Sequence, residues 1–395
     1  MSDDAAIVTL NGGSSSIKFA VFAAHNPLAL IASGAVDDIG SGKPVLRTVR
    51  PGQPAVTVAA GTSNHAAAGA LVLAEVERQA AGRRVLAIGH RIVHGGPEFV
   101  QPQRIDGTTL MALRRLRPLD PDHLPLELAL VEAAMQHFSG VAQVACFDTA
   151  FHHAMPRVAK LLPIPRRYAA EGVVRYGFHG LSYTYLMGEI ARLDGAAAAR
   201  GRIVMAHLGS GASLAAVKDG APVDTSMGFT PASGVPMGTR CGDIDPGLGP
   251  YLARTEGMTM AGFDHMANFE SGMLGVSESS GDMQDLLAAE VNDGRAADAV
   301  ALFCYAVKQR IGAFAATLGG IDRLVFSGGI GAASPAVRAR ICDGLGFLGI
   351  VLDRAANDAG AAIVSPAGAA VVVRAMPTDE EIVIARAAQA VAAAP

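Results

Sequence analysis

Asn11-Gly12-Gly13-Ser14-Ser15-Ser16 combines groups that can hold phosphate. Two glycines let backbone approach an anion closely, and three hydroxyls with a row of amides can receive its oxygens. The same composition also suits an ordinary hairpin turn. Gly209-Ser210-Gly211-Ala212-Ser213 offers similar groups in the second half. His90-Arg91-Ile92-Val93-His94 places two imidazoles around a guanidinium, and both histidines read equally well as core or capping residues. No His-Glu-x-x-His spacing marks zinc. Asp148 is either a metal or phosphate partner or the cap of the next turn. His179 follows in Arg175-Tyr176-Gly177-Phe178-His179-Gly180, and Arg240 lies in a long Gly/Pro-rich segment of the kind that usually carries function.

The elements that must position these groups are legible from apolar runs. Residues 5–10 and 17–22 read as antiparallel strands around the first turn, and 202–208 and 214–217 repeat the device around the second. That repetition suggests two related halves facing each other across a cleft. Residues 31–60 suggest further strands, broken at Gly40-Ser41-Gly42 and Pro51-Gly52. Residues 66–79 suggest a helix. Residues 85–89 and 142–147 read as buried strands that deliver His90-Arg91 and Asp148 at their carboxyl ends, where open α/β sheets place ligands. The proline-punctuated stretch 118–125 opens a helix running to about residue 136. A helix over 296–319 precedes a strand over 321–326, which ends in the glycine turn Ser327-Gly328-Gly329-Ile330-Gly331. Ser334-Pro335 then starts a helix. Thr378-Asp379-Glu380-Glu381 matches capping-box spacing, which makes Glu381 the better cap and leaves Glu380 open to either role.

Composition narrows the class. With 395 residues, half of them hydrophobic and 17% charged, the chain suits two or three globular domains. A net charge of −4 leaves no basic footprint for nucleic acid. No apolar run reaches the roughly 18 residues a membrane span needs. The acidic start Met1-Ser2-Asp3-Asp4 lacks a signal peptide's basic region. Cys146, Cys241, Cys304 and Cys342 lie far apart and read as reduced, mostly buried cytoplasmic thiols.

Taken together the motifs resemble the acetate kinase family, within the actin-like ATPase and sugar-kinase superfamily. The matches are Asn-x-Gly-Ser-Ser-Ser-x-Lys at 11–18, Gly-His-Arg-x-Val-His-Gly-Gly at 89–96 and Phe-Asp-Thr-Ala-Phe-His at 147–152. Arg-Tyr-Gly-Phe-His-Gly at 175–180, His-Leu-Gly at 207–209, Asp-Thr-Ser-Met-Gly-Phe-Thr-Pro at 224–231, Met-Gly-Thr-Arg at 237–240 and Gly-Asp-Ile-Asp-Pro at 242–246 continue them. The resemblance implies an α/β fold of two duplicated ribonuclease-H-like domains with an interdomain active-site cleft. Residues 1–150 plus 379–395 would form the first domain and 151–378 the second, nucleotide-binding one. It further implies reversible, Mg2+-dependent transfer of the ATP γ-phosphoryl to acetate by a cytoplasmic homodimer.

On that resemblance Arg91, Asp148, His179 and Arg240 are catalytic, with His123 and His207 nearby. Arg91, Val93, Asp122, Phe178, Pro231 and Arg240 would meet the substrate. Lys18, His207, Gly209, Ser210, Gly211, Asp282, Gln284, Gly329, Ile330 and Gly331 would meet the nucleotide, and Asn11 and Glu380 would hold magnesium. The sequence departs from the family at Ser210, Gln284, Ala332 and Ala333 in the nucleotide loops, and at Tyr183, where the family has histidine. Asp122 occupies a position that is hydrophobic in the family and encloses the substrate methyl. An ionised carboxylate against a methyl is costly, so either it turns to solvent or the substrate is polar there. Propionate, butyrate or another short acid is an alternative substrate. A mechanical actin-like ATPase is a rival of another class, though it would need no substrate arginines. A nucleotide-poor family member is a third reading.

Overall fold

Alternation of Val, Ile, Phe and Ala makes residues 5–23 a hairpin, because both faces of this sheet are covered and favour apolar, β-branched side chains. In the computed structural model β1 (Ala5–Gly12) pairs antiparallel with β2 (Ile17–Ala23), and Gly13 N–H closes the turn on Ser16 O at 2.8 Å. The structure describes residues 4–13, 15–40, 43–62 and 64–394. Ser14 of the phosphate-type turn, the Ser41-Gly42 break and the first three residues lie outside them.

The chain divides into two compact units, Met1–Phe151 with Asp379–Pro395, and His152–Thr378. In the first, the hairpin is extended by β3 (Ala29–Asp37), β4 (Val45–Val49) and β5 (Val56–Ala59) on one side. On the other side lie β6 (Arg84–Ile92), β7 (Gln103–Arg104) and β8 (Ala142–Phe147), in the order β5-β4-β3-β2-β1-β6-β8-β7. Helices His65–Gln79 and Leu124–His137 cover one face, burying Val72, Leu73, Val76 and Leu130 against Val8, Leu10, Ile17 and Phe19. Each such fully buried aliphatic side chain stabilises by about 1.5–3 kcal/mol. The final helix, Glu380–Ala393, lies on β6 at Gly89. A Cβ there would come within 3.1 Å of Ile384 O and 3.2 Å of the Ala388 Cβ, so this approach requires glycine.

The second unit holds β9 (Ile203–Leu208), β10 (Ala212–Lys218), β11 (Ala221–Thr225), β12 (Arg323–Ser327) and β13 (Val372–Ala375), ordered β11-β10-β9-β12-β13. Its antiparallel meander followed by two parallel strands repeats β3-β2-β1-β6-β8. Helix Gly294–Leu318 has the length and hydropathy of a membrane span. Here its stripe of Val300, Phe303, Val307, Ile311 and Phe314 is buried, and the helix packs on β10. Cys146, Cys304 and Cys342 are buried free thiols.

Three expectations are corrected. Strand β6 runs to Ile92, so His90 and Arg91 belong to the strand and not to the loop after it. The glycine run after β12 is a short helix, Gly328–Ala333, and not an open turn; Ala332 and Ala333 favour helix where glycine alone would not. The last helix is capped by Asp379, whose carboxylate accepts Ile382 N–H at 3.0 Å, so Glu381 is not its capping-box residue.

Candidate active site

The first unit gathers charge at the carboxyl ends of three parallel strands. Register places Leu10 of β1 beside His90 of β6, and Ile92 beside Phe147 of β8. Asn11, Arg91 and Asp148 therefore emerge together. Arg91 donates from Nη2 (2.6 Å) and Nε (3.1 Å) to Asp148 Oδ2, and from Nη1 to Asn11 Oδ1 at 3.4 Å. Its Nη1 also lies 3.7 Å from Glu127 Oε1. Burial alone would favour its neutral form, but Asp148, Glu127 and Glu380 outweigh that and hold the guanidinium firmly ionised.

Glu127 is buried, and its Oε2 accepts the Val93 N–H at 2.9 Å while Oε1 has no hydrogen-bond partner. Desolvation pushes its carboxyl up to about 8 against the opposing pull of Arg91. Glu381 accepts from the Thr9 hydroxyl and also bonds Asn11. Lys18, directly across the hairpin from Asn11, is exposed and lends its charge to Glu380 and Glu381.

Asp148 Oδ1 is buried without a hydrogen-bond partner. Burial first, and the Asp148 charge second, raise the pKa of Glu380. Among the described residues no three His, Cys, Asp or Glu side chains form a ready-made metal cage. Mg2+ needs none, since it usually takes one or two carboxylates and completes its shell with water and phosphate. The oxygen donors of Asn11, Asp148 and Glu380 fit that ion.

Neighbouring histidines resolve differently. His90 Nε2 bonds Gln143 Oε1 at 2.7 Å, and burial pulls its pKa down to about 4, as for a neutral core residue. His94 Nδ1 accepts the Gly96 N–H at 2.9 Å and is likewise held neutral by burial, near 4. His123 Nδ1 bonds Asp120 Oδ1 at 2.9 Å. Val93 is buried, whereas Asp122 is exposed in the turn ahead of helix Leu124–His137.

In the second unit His179 caps helix Gly180–Asp194 in a left-handed conformation, φ 58°, ψ 25°. A non-glycine residue held there stores backbone strain, a pattern common at functional positions. Its Nδ1 bonds Ser213 Oγ at 2.8 Å, and its ring stacks on His207 with centroids 4.3 Å apart. His207 Nδ1 bonds Ser182 Oγ at 2.8 Å. Arg240 donates from Nη1 to Pro231 O at 3.3 Å. A Cβ built on Gly211 would sit 3.3 Å from His179 Nε2 and 3.6 Å from Arg240 Nη1. Imidazole, guanidinium and glycine turn thus meet at one point. Phe178 is buried beside them, its carbonyl accepting from His152 Nε2 at 2.9 Å.

A cavity of about 400 Å³ in the same unit is lined by Gly209, Ser210, Asp282, Gln284, Gly329 and Ile330, among others. Asp282 also caps its own helix, accepting the amides of Gln284 (2.7 Å) and Asp285 (3.3 Å). Gly211 and His207 belong to the adjoining histidine cluster and Lys18 to the first unit, so none of the three is among the cavity's lining residues. Gly331 is buried behind the wall, and the buried guanidinium of Arg338 donates to its carbonyl and to that of Ala332.

A model of the acetokinase family matches residues 6–386 of the chain. The chain is 41% identical over 388 residues to the acetate kinase of Rhodopseudomonas palustris (strain TIE-1), with 96% of each covered. The chain belongs to the acetokinase family. It is also 40% identical over 385 residues to the propionate kinase of Citrobacter rodentium (strain ICC168), with 96% of this chain and 95% of that protein covered. Among solved structures it matches the acetate kinase of Porphyromonas gingivalis with a TM-score of 0.88 at 34% identity, covering 98% of this chain and 99% of that one.

Reading the acetokinase motifs alone misses Glu127 and the Tyr183–Ser213 pair. The signal for Glu127 was a carboxylate on the apolar stripe of Leu124, Leu128 and Val131. Its folded pKa of about 8 stands above the ordinary carboxyl value, so its stabilising contribution is full below about pH 4.5 and is lost as pH rises through 8. Glu127→Gln is therefore expected to leave urea stability near pH 5 almost unchanged. Near pH 9 it should raise stability by about 4–5 kcal/mol, at roughly 1.4 kcal/mol per unit of the rise from 4.5 to about 8. An equal effect at both pH values would contradict the placement.

Proposed function

We propose that the chain transfers the γ-phosphoryl group of ATP reversibly to a short carboxylate, acetate first, giving an acyl phosphate and ADP. The observation that carries this reading is the meeting of Arg240 Nη1 and His179 Nε2 at Gly211, beside a cavity walled by the same glycine turn. A carboxylate nucleophile is already ionised at neutral pH, so no strong general base is required. The obstacle is repulsion between two anions, and catalysis rests on positioning and charge neutralisation.

Arg91, kept ionised and aimed by Asp148, would bind the acid, its planar fork matching a carboxylate. Arg240 and His179 would donate to equatorial oxygens of the group in transit, over which its charge is spread. Magnesium, held by Asn11 and Glu380 with Asp148 orienting its shell, would supply charge neutralisation on the nucleotide phosphates. Val93, Phe178 and Pro231 would enclose the alkyl end, with exposed Asp122 turned to solvent. Gly209, Ser210, Asp282, Gly329 and Ile330 would hold the nucleotide.

Gln284 lines the cavity where the resemblance expects an arginine. Gln284→Arg is expected to tighten ATP about ten-fold, the order of one charge-assisted hydrogen bond, measured by calorimetry. The reading includes a cytoplasmic homodimer. Propionate or butyrate is a second reading, favoured by the 40% identity to a propionate kinase.

The test is ADP formation with ATP, Mg2+ and a panel of acetate, propionate, butyrate and hydroxylated short acids, with hydroxylamine trapping the acyl phosphate. Stimulation by acetate above all is expected. A stronger response to propionate or butyrate would shift the substrate, and basal hydrolysis indifferent to every acid would overturn the transfer.

A further inference from the structure

We propose that Tyr183 is a positioning residue that fixes the ring proton of His179 on Nε2, so that the imidazole donates toward the phosphoryl group; this rests on the role given to His179 above. The chain of contacts is short and dry. Tyr183 and Ser213 are both fully buried, with no accessible surface. The phenol oxygen lies 2.6 Å from Ser213 Oγ, which lies 2.8 Å from His179 Nδ1.

Direction follows from the phenol. A phenol is a stronger hydrogen-bond donor and a weaker acceptor than an alkyl hydroxyl, so across the 2.6 Å contact its proton is directed to Ser213 Oγ. The serine proton then goes to His179 Nδ1, which must accept it. A neutral imidazole that accepts on Nδ1 carries its hydrogen on Nε2, the nitrogen beside Gly211 and Arg240. The left-handed backbone of His179 and the stacked His207 ring keep the imidazole from turning over. Burial raises the phenol's pKa, so it stays a donor throughout the working range.

Nitrogen NMR of the imidazole rings in the whole protein tests this directly, the His179 signal being assigned by its loss in His179→Gln. The wild type is expected to show an unprotonated Nδ1 and a protonated Nε2. Tyr183→Phe should give mixed tautomers and lower kcat about 10- to 100-fold, with KM for acid and ATP changed less than two-fold. Tyr183→His, which restores a buried donor, should recover most of both. A proton on Nδ1 in the wild type would overturn the proposal whatever the variants do. So would a Tyr183→Phe protein with unchanged tautomer and kcat. The ring signals are read without substrate, so an enzyme indifferent to every acid would defeat the role of His179 while leaving the tautomer result to stand or fall alone.

Discussion

Arg91→Ala is expected to lower kcat/KM for the acid about 10³-fold, the order found when a preorganised cation is removed from phosphoryl transfer. Charge and stability both change in this variant. Asp148 loses its two bonds at 2.6 and 3.1 Å, whereas the buried Glu127, its carboxyl already pushed up to about 8, stays neutral at pH 7. Removing one partner of a buried pair commonly costs about 3–5 kcal/mol because an uncompensated charge remains. Activity and stability can be separated by two further proteins. Arg91→Lys keeps a charge for Asp148 but not the planar fork, and should stay folded while losing about 10² in kcat/KM. Arg91→Ala combined with Asp148→Asn should recover much of the lost stability and none of the activity. Recovery of activity in that double variant would show that the arginine only props the fold.

Gly272→Ala should unseat the other cation, Arg240, by pushing on its backbone. Helix Gly272–Ser277 ties down the Met237–Arg240 loop through three amides. Ser271 N–H donates to Thr239 O (2.9 Å), Met273 N–H to Met237 O (2.8 Å) and Leu274 N–H to Gly238 O (2.9 Å). Gly272 has φ +60°, and a Cβ there would collide with Met237 O and stand 2.6 Å from Arg240 O. Strain and displacement together are expected to cost at least about 3 kcal/mol of stability. Because the loop carries Arg240, kcat should fall about 10²-fold even where the variant remains folded. Denaturant unfolding and kinetics on the same preparation check both. Unchanged kcat in a folded Gly272→Ala protein would mean that the loop does not set the arginine's position.

Much of this was readable because strand ends and glycine turns are local. The hairpins β1–β2 and β9–β10 follow from apolar runs flanking Gly/Ser turns, and parallel pairing of β6 with β8 makes Arg91 and Asp148 neighbours once both strands are recognised. What escaped depends on long-range contact. Glu127 meets Val93 across 34 positions, and Tyr183 meets Ser213 across 30, distances over which no spacing rule operates. The start of the last helix escaped for a different reason. Thr378-x-x-Glu381 and Asp379-x-x-Ile382 are one residue apart, and an aspartate caps as well as a threonine. Tertiary contact decided, because Glu381 is engaged by Thr9 and Asn11 on the sheet.

The central claim is that the acid, and not water, attacks the terminal phosphate. Acetate labelled with heavy oxygen in its carboxylate, incubated with the protein, ATP, Mg2+ and hydroxylamine, separates the two. Hydroxylamine cleaves the acyl carbon–oxygen bond, so the released phosphate should carry one oxygen from acetate. Phosphate holding only solvent oxygen beyond its original three would contradict the account.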